Sequence, residues 1–333
     1  LGAYSIQFEL AQLAVKTAPR DGWSQAQLAD ACKCLGQFNK ALQAYDAASR
    51  YGQRLISLSG HAEVMKEVGR LEEALVEYQK AIDLFPDEVV PRNGSAEVLK
   101  TMGRLQEALA EYEKTVARFP QDVVARSGRA EVLKDLGRLD EALAEYEKTV
   151  ARFPQDVVPR TGRAEVLRTW GWLEEALLAY EGTVRDFPYN VVARCGQAAV
   201  LKGLGRLEES LALYKRTHQQ FPYYLSSRNG YASALALLSR YEEALGLLQV
   251  ESPRGFEDWV AFHIRGMILM KEGHTRKAME IFERGVKESP WRGDVGYFRS
   301  ALAAARLREK QFEKAVEAIA DEWAAVSNVL RIH

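Results

Sequence analysis

Five histidines, three cysteines and recurring acid pairs are the residues of this chain that could do proton-transfer, redox or metal chemistry. Their spacing argues against it. His61, His218, His263, His274 and His333 are dispersed, and none belongs to the H-E-x-x-H pattern that sets two imidazoles on one helix face around zinc. His61-Ala62-Glu63 copies the H-x-E of zinc deaminases, but no P-C-x-x-C follows to complete the ligand set. Cys32-x-Cys34 has neither the spacing of the usual zinc and redox pairs nor a second pair, so both read as structural thiols. There is no G-x-x-x-x-G-K-[ST] phosphate loop and no dinucleotide fingerprint. Acid pairs such as Glu72-Glu73 and Glu174-Glu175 recur at regular intervals on polar faces, which reads as solvated surface. The expectation is a chain that is no enzyme, with no catalytic, metal or cofactor-binding residues and no cofactor.

Composition bounds what remains. The 333 residues are 47% apolar and 27% charged, an ordinary balance for a protein with a packed core. Lysine and arginine number 45 against 46 acids, a net charge of −1, so a whole-chain basic footprint for nucleic acid is absent. Three scattered cysteines cannot make a disulfide framework and point to a reducing compartment, the cytoplasm. No apolar run approaches the 18 or so residues of a transmembrane helix, so no membrane insertion is expected.

The elements that would position any binding residue are set by an internal repeat. Pro86, Pro120, Pro154, Pro188, Pro222 and Pro290 fall on a spacing of 34, with one gap at Phe256. Gly69, Gly103, Gly137, Gly171, Gly205 and Gly273 follow the same period, with Ser239 in the gap. Ala74, Ala108, Ala142, Ala176, Ala244 and Ala278 do so too, Ser210 substituting once, and so do Tyr78, Tyr112, Tyr146, Tyr180 and Tyr214. Residues 89–122 and 123–156 differ at six of 34 places. Each period reads as two helices. In 123–156, Asp122 is an N-cap for a first helix reaching about Leu136, and Gly137 can take the left-handed conformation that ends it. Leu139, Ala142, Leu143, Tyr146 and Val150 then form an apolar stripe at helical spacing, stopped by Phe153-Pro154. A further helix is expected near Tyr4–Lys16.

This pattern resembles the tetratricopeptide repeat family, on the 34-residue period and on the small residue, aromatic and proline of the second half, as in Ala142, Tyr146 and Pro154. The resemblance implies an all-α fold, a right-handed alpha-alpha superhelix of about nine helix-turn-helix repeats. Residues 1–54 would hold an N-terminal helix and a degenerate first repeat, 55–292 seven repeats in register, and 293–333 a degenerate repeat or capping helices. The chain departs from the family where it carries Arg126 and Arg129 early in the first helix. It also adds a glycine column, Gly60, Gly94, Gly128, Gly162, Gly196 and Gly230. Each such glycine costs roughly 1 kcal/mol relative to alanine in a helix. Either a Cβ would collide with a neighbouring helix there, or the backbone is open to a ligand.

In proteins of this resemblance the first helices line a groove that recognises a peptide or protein surface. Here the N-terminal repeats place Glu97 and Lys100, Glu131 and Lys134, and Glu165 and Arg168 three apart, so that half looks self-neutralised. From 191 onward the pairs vanish. Cys195, Ala199 and Lys202 are followed by Asn229 and Ser233, then by His263, Met267 and Met270. Either these repeats drifted and pack on each other, or they form a partner-binding patch, methionine being adaptable at apolar contacts. The arginine column gives the same contrast. Glu88, Asp122 and Asp156 precede Arg92, Arg126 and Arg160 by four and can pair with them, whereas Asn190 and Tyr224 precede Arg194 and Arg228.

The expected function is a protein–protein interaction scaffold, an adaptor holding a protein or peptide partner, in particular an acidic segment with apolar anchors. The candidate partner-binding residues are Arg194, Arg228, Lys202, Asn229, Ser233, His263, Met267 and Met270. The alternative is the sensor or regulatory arm of a larger enzyme or complex, consistent with a first residue that is Leu rather than Met. A polyanion or RNA binder using the arginines is a third reading, against which stand the near-zero net charge and the few groove aromatics.

Overall fold

The computed structural model of the chain describes residues 2–250, 253, 256–289 and 292–318. It is all-α: among these residues there are eighteen helices, a further helical stretch over 312–318, and no strand. After α1 (Gly2–Thr17), which matches the helix expected near Tyr4–Lys16, the helices pair into hairpins. The first helices are α2 (Gly22–Cys34), α4 (Arg54–Glu67), α6 (Val90–Thr101), α8 (Val123–Asp135), α10 (Val157–Trp170), α12 (Val191–Gly203), α14 (Leu225–Leu237), α16 (Phe256–Lys271) and α18 (Arg292–Arg308). Between them lie α3 (Phe38–Arg50), α5 (Leu71–Leu84), α7 (Leu105–Arg118), α9 (Leu139–Arg152), α11 (Leu173–Asp186), α13 (Leu207–Gln220), α15 (Tyr241–Leu247) and α17 (Thr275–Glu288). The C-terminal part of the expected final segment, 319–333, lies outside the described residues.

The helix ends follow the local chemistry read from the sequence. Asp122 accepts the backbone N–H of Ala125 at 2.6 Å, satisfying one of the free donors of α8, and Asn190 does the same for Ala193 at 2.8 Å. Gly137 turns the chain out of α8 at φ 76°. Where the glycine comb has its gap, Ser239 adopts φ 59°, a conformation in which a Cβ is strained, and the helix after it, α15, has only seven residues.

Two compact units divide the chain, 1–166 and 167–333, the boundary falling inside α10. In the first unit, Leu99, Leu109, Val132, Leu133, Tyr112 and Tyr146 make a continuous core with Leu139 packed partly buried against it. In the second, one core gathers around Leu211, Tyr214, Leu235 and Leu248, and another around Trp259, Phe262, Phe282 and Phe298. The alanine comb is wholly buried at Ala74, Ala108, Ala142, Ala176, Ala244 and Ala278. At its exception, the buried Ser210 hydroxyl donates to the carbonyl of Ala198 at 2.7 Å. Each fully buried valine of the first helices, such as Val132 or Val200, contributes roughly 1.5–3 kcal/mol.

The glycine column exists because of the tyrosine column. A Cβ on Gly128 would lie 2.4 Å from Cζ of Tyr112, and Gly94, Gly162, Gly196 and Gly230 sit in the same way under Tyr78, Tyr146, Tyr180 and Tyr214. The aromatic of one second helix is therefore wedged against bare backbone of the next first helix. In repeat 259–292 the column position holds Ile264, and Gly266, at the position of Ala232, faces Phe282 of its own hairpin. Within each unit the row of first helices is the tighter one: α2, α4, α6 and α8 touch in succession, as do α12, α14, α16 and α18.

Candidate functional site

Because successive first helices touch, side chains on their common face meet across repeats, and the polar ones form a ladder. Lys100 Nζ lies 2.9 Å from Glu97 on its own helix and 2.9 Å from Glu131 of the next repeat. Lys33 in the same way reaches Glu63 at 2.5 Å and Asp30 at 3.6 Å. Burial by itself would lower the pKa of either ammonium, but the two carboxylates outweigh it and raise both above the ordinary lysine value. The column tyrosines close the ladder from beneath, Tyr45 donating to Asp30 at 2.5 Å and Tyr112 to Glu97 at 3.4 Å. The i, i+3 pair at Lys100 was legible in the sequence. The inter-repeat bond was not, although its spacing of 31, three less than the period, is the signal that could have found it.

Lys202 stands at the same repeat position in α12, and its surroundings differ. Ala199 replaces the glutamate on its own helix and Ser233 replaces the one on the next. Its Nζ donates to Ser233 Oγ at 3.1 Å and makes no ion pair among the described residues. Burial therefore wins here and lowers the ammonium pKa, and the positive charge of Arg168 pushes the same way. One repeat beyond Ser233 the same position holds Met267, 37% exposed. The structure thus leaves a half-buried cation with no carboxylate, and an accessible thioether further along the same face.

Several expected site residues are committed elsewhere. Arg194 donates from Nε to the carbonyl of Pro188 at 2.7 Å and from Nη1 to Gln220 at 2.7 Å, with its guanidinium 5.9 Å from the Phe221 ring. Arg92, Arg126 and Arg160 make the corresponding bond to Pro86, Pro120 and Pro154 at 3.2, 3.0 and 3.0 Å. The column arginines thus hold carbonyls in the turn that precedes their own helix, which would otherwise lack a donor. The expected pairing with an acid four residues earlier does not form at Arg92 or Arg126. Asp122 is occupied as a cap and accepts Asn93 Nδ2 at 2.9 Å, while Arg126 points to Glu145 at 3.4 Å.

Nor is Arg228 unpartnered, as the sequence suggested. It bonds Asn229 at 3.1 Å and Asp258, thirty residues on, at 3.5 Å. Asn229 is buried and donates to both the carbonyl and the carboxylate of Glu257 at 2.8 Å. The two residues fasten the first turn of α16. Met270 is a correction too: it is buried in the core beside Trp259, Phe262 and Leu269. His263 is half-buried among aromatic rings, 5.4 Å from Phe298 and 5.9 Å from Phe282. Burial lowers its pKa, opposed by a hydrogen bond with the Tyr297 backbone. Of the eight candidates, Lys202, Ser233 and Met267 lie on one face with side chains still accessible.

No cluster among the described residues could hold a metal ion. The Cys195 thiol, half-buried and near Glu257, is pushed up to about 12, and burial also raises Cys32, so neither carries a ready thiolate. No helix of the described chain is long and apolar enough to cross a membrane.

Comparison with known families matches residues 93–157 and 261–290 to the tetratricopeptide repeat. Among solved structures, a tetratricopeptide repeat protein from Parabacteroides merdae superposes with a TM-score of 0.56 at 18% identity, covering 76% of this chain and 99% of that one. Yeast Tom70 gives a TM-score of 0.64 at 14% identity, covering 86% of this chain, which spans 63% of Tom70. At these identities the likeness is one of fold. None of the curated proteins matches the chain in sequence.

Proposed function

We propose that this chain, which carries tetratricopeptide repeats over 93–157 and 261–290, is a non-enzymatic interaction scaffold whose first-helix face, within residues 167–333, holds an acidic segment of a protein partner. The observation that carries this reading is Lys202. Every ammonium of the ladder costs desolvation, and at Lys33 and Lys100 carboxylates of the chain offset it. At Lys202 the chain supplies only the Ser233 hydroxyl. A carboxylate from outside would complete the pair, restoring the ammonium pKa and gaining a charge-assisted bond. Met267 gives the same segment an apolar contact that can adapt its shape.

Binding of a fluorescein-labelled peptide of alternating aspartate and leucine, followed by anisotropy, tests this. Ser233→Glu installs the carboxylate that Glu131 supplies to Lys100, and it should weaken the peptide roughly tenfold or more, the scale of one charge-assisted bond. Ser233→Gln, of similar size and no charge, should weaken it far less. Equal affinity for the three proteins, or equal affinity for an asparagine–leucine peptide, sinks the reading.

A further inference from the structure

A second surface lies at the turn between α10 and α11, and it is marked by a break in a column that runs through the repeats on either side. At the turns into α5, α7, α9, α13 and α15, an arginine pairs in bidentate fashion with the glutamate three residues on. Arg104 with Glu107 and Arg138 with Glu141 each make two bonds at 2.6 Å, Arg206 with Glu209 bonds at 2.7 and 2.6 Å, and Arg240 with Glu243 at 2.7 and 2.8 Å. Arg70 and Glu73 make the same pair. In the repeat 157–190 that arginine is Trp172, and the glutamate, Glu175, remains, exposed and without an ion pair among the described residues.

The change is not isolated. Trp170, where the neighbouring repeats have leucine, lies parallel to Trp172, ring centroids 4.4 Å apart and planes within 10°. The two indoles are 37% and 44% exposed. Leu178, where the neighbouring repeats have alanine, is 69% exposed, and it lines a depression with Leu177, Leu204, Glu174 and Arg206. Arg206 is already neutralised by Glu209, so the free charge beside the indoles is negative, from Glu174 and Glu175. Large exposed apolar side chains clustered in this way mark contact surfaces. Stacking fixes the two rings against each other, so a planar face is presented with little ordering left for a partner to impose.

We propose that this turn is a docking site for an arginine of a protein partner, followed by apolar residues. The guanidinium supplies what the column lost: it pairs with Glu175 through two parallel N–H donors, as Arg138 does with Glu141, and lies against the indole pair. An apolar neighbour in the same segment fills the depression at Leu178. An acidic segment is excluded by Glu174 and Glu175, so this site and the Lys202 face take chemically opposite ligands.

The probe is the labelled peptide acetyl-Gly-Arg-Leu-Leu-Gly with the full chain, compared with its citrulline counterpart, which keeps the shape and removes the charge. The arginine peptide should bind, and citrulline should weaken it roughly tenfold or more, the scale of a bidentate charged contact. Trp172→Arg restores the internal pair to Glu175 and should abolish binding while leaving the melting temperature unchanged or higher. The acidic peptide's affinity for Trp172→Arg should equal that of the unsubstituted chain. No binding of the arginine peptide, equal binding of citrulline, or retained binding by Trp172→Arg overturns the proposal. So does sedimentation showing that the chain self-associates through this turn and that Trp172→Arg makes it monomeric, since the occupant would then be a second copy.

Discussion

The phenol ring of Tyr146 fills the space that a side chain on Gly162 would need, its Cε1 and Cζ lying 2.3 Å from where a Cβ would stand. The ring belongs to one repeat and the glycine to the next, so the contact fixes how closely the two helices approach. In an unconstrained helix Gly162→Ala would gain about 1 kcal/mol from propensity. Here the added methyl meets a ring enclosed on all sides, and the substitution should cost roughly 1–3 kcal/mol by overpacking. Urea unfolding of the single variant, and of Gly162→Ala with Tyr146→Leu, checks it: the smaller side chain should make the alanine much less costly.

Ala142 is fully buried between the helices of its own hairpin, and Ala142→Trp should cost roughly 1–3 kcal/mol or more. In a stacked array each repeat touches only its neighbours, so the loss should be local. Hydrogen exchange should accelerate in α8, α9 and the adjoining α7, and leave α2 and α3 protected. A uniform loss of protection would contradict nearest-neighbour coupling.

The two ladder lysines should respond oppositely to loss of charge. Lys202→Met removes a half-buried ammonium that has no carboxylate and should be neutral or stabilising by up to about 1 kcal/mol. Lys100→Met leaves Glu97 and Glu131 facing each other and should destabilise by about 1 kcal/mol. Thermal melts of both at neutral pH decide the matter.

Alkali should unfold this chain through its tyrosine column. Burial first, and nearby acids second, raise the pKa of Tyr45, Tyr78, Tyr112 and Tyr146 well above the ordinary value of 10. Above that pH the unfolded rings lose protons that the folded ones keep, so stability falls as pH rises past about 10 and is untouched by these groups below it. Urea midpoints measured between neutral pH and pH 11 should show the decline, and Tyr112→Phe should make it shallower.

Much of the architecture was legible because its causes are local. Asp122 caps, Gly137 ends and Pro154 stops a helix through bonds and clashes within a few residues, and the alanine and tyrosine combs face the core because helical spacing puts them there. The glycine column could be read as close packing, but not which ring it meets. The candidate site was less legible. Arg228 looked unpaired because its acid, Asp258, lies thirty residues away, and Met270 looked like its neighbour Met267 although only the latter faces out.

The sequence by itself determined the period, the helices and the buried combs, since backbone hydrogen bonding and side-chain periodicity act over one or two turns. Tertiary structure decided which charges are satisfied. The partners of Lys33, Lys100, Asn229 and Arg228 sit on the next repeat, and whether they meet depends on the offset between packed helices. That offset is set where Tyr112 closes on Gly128 and its counterparts do the same. For the same reason Lys202 could be recognised as lacking a carboxylate only once the helix bearing Ser233 was in place beside it.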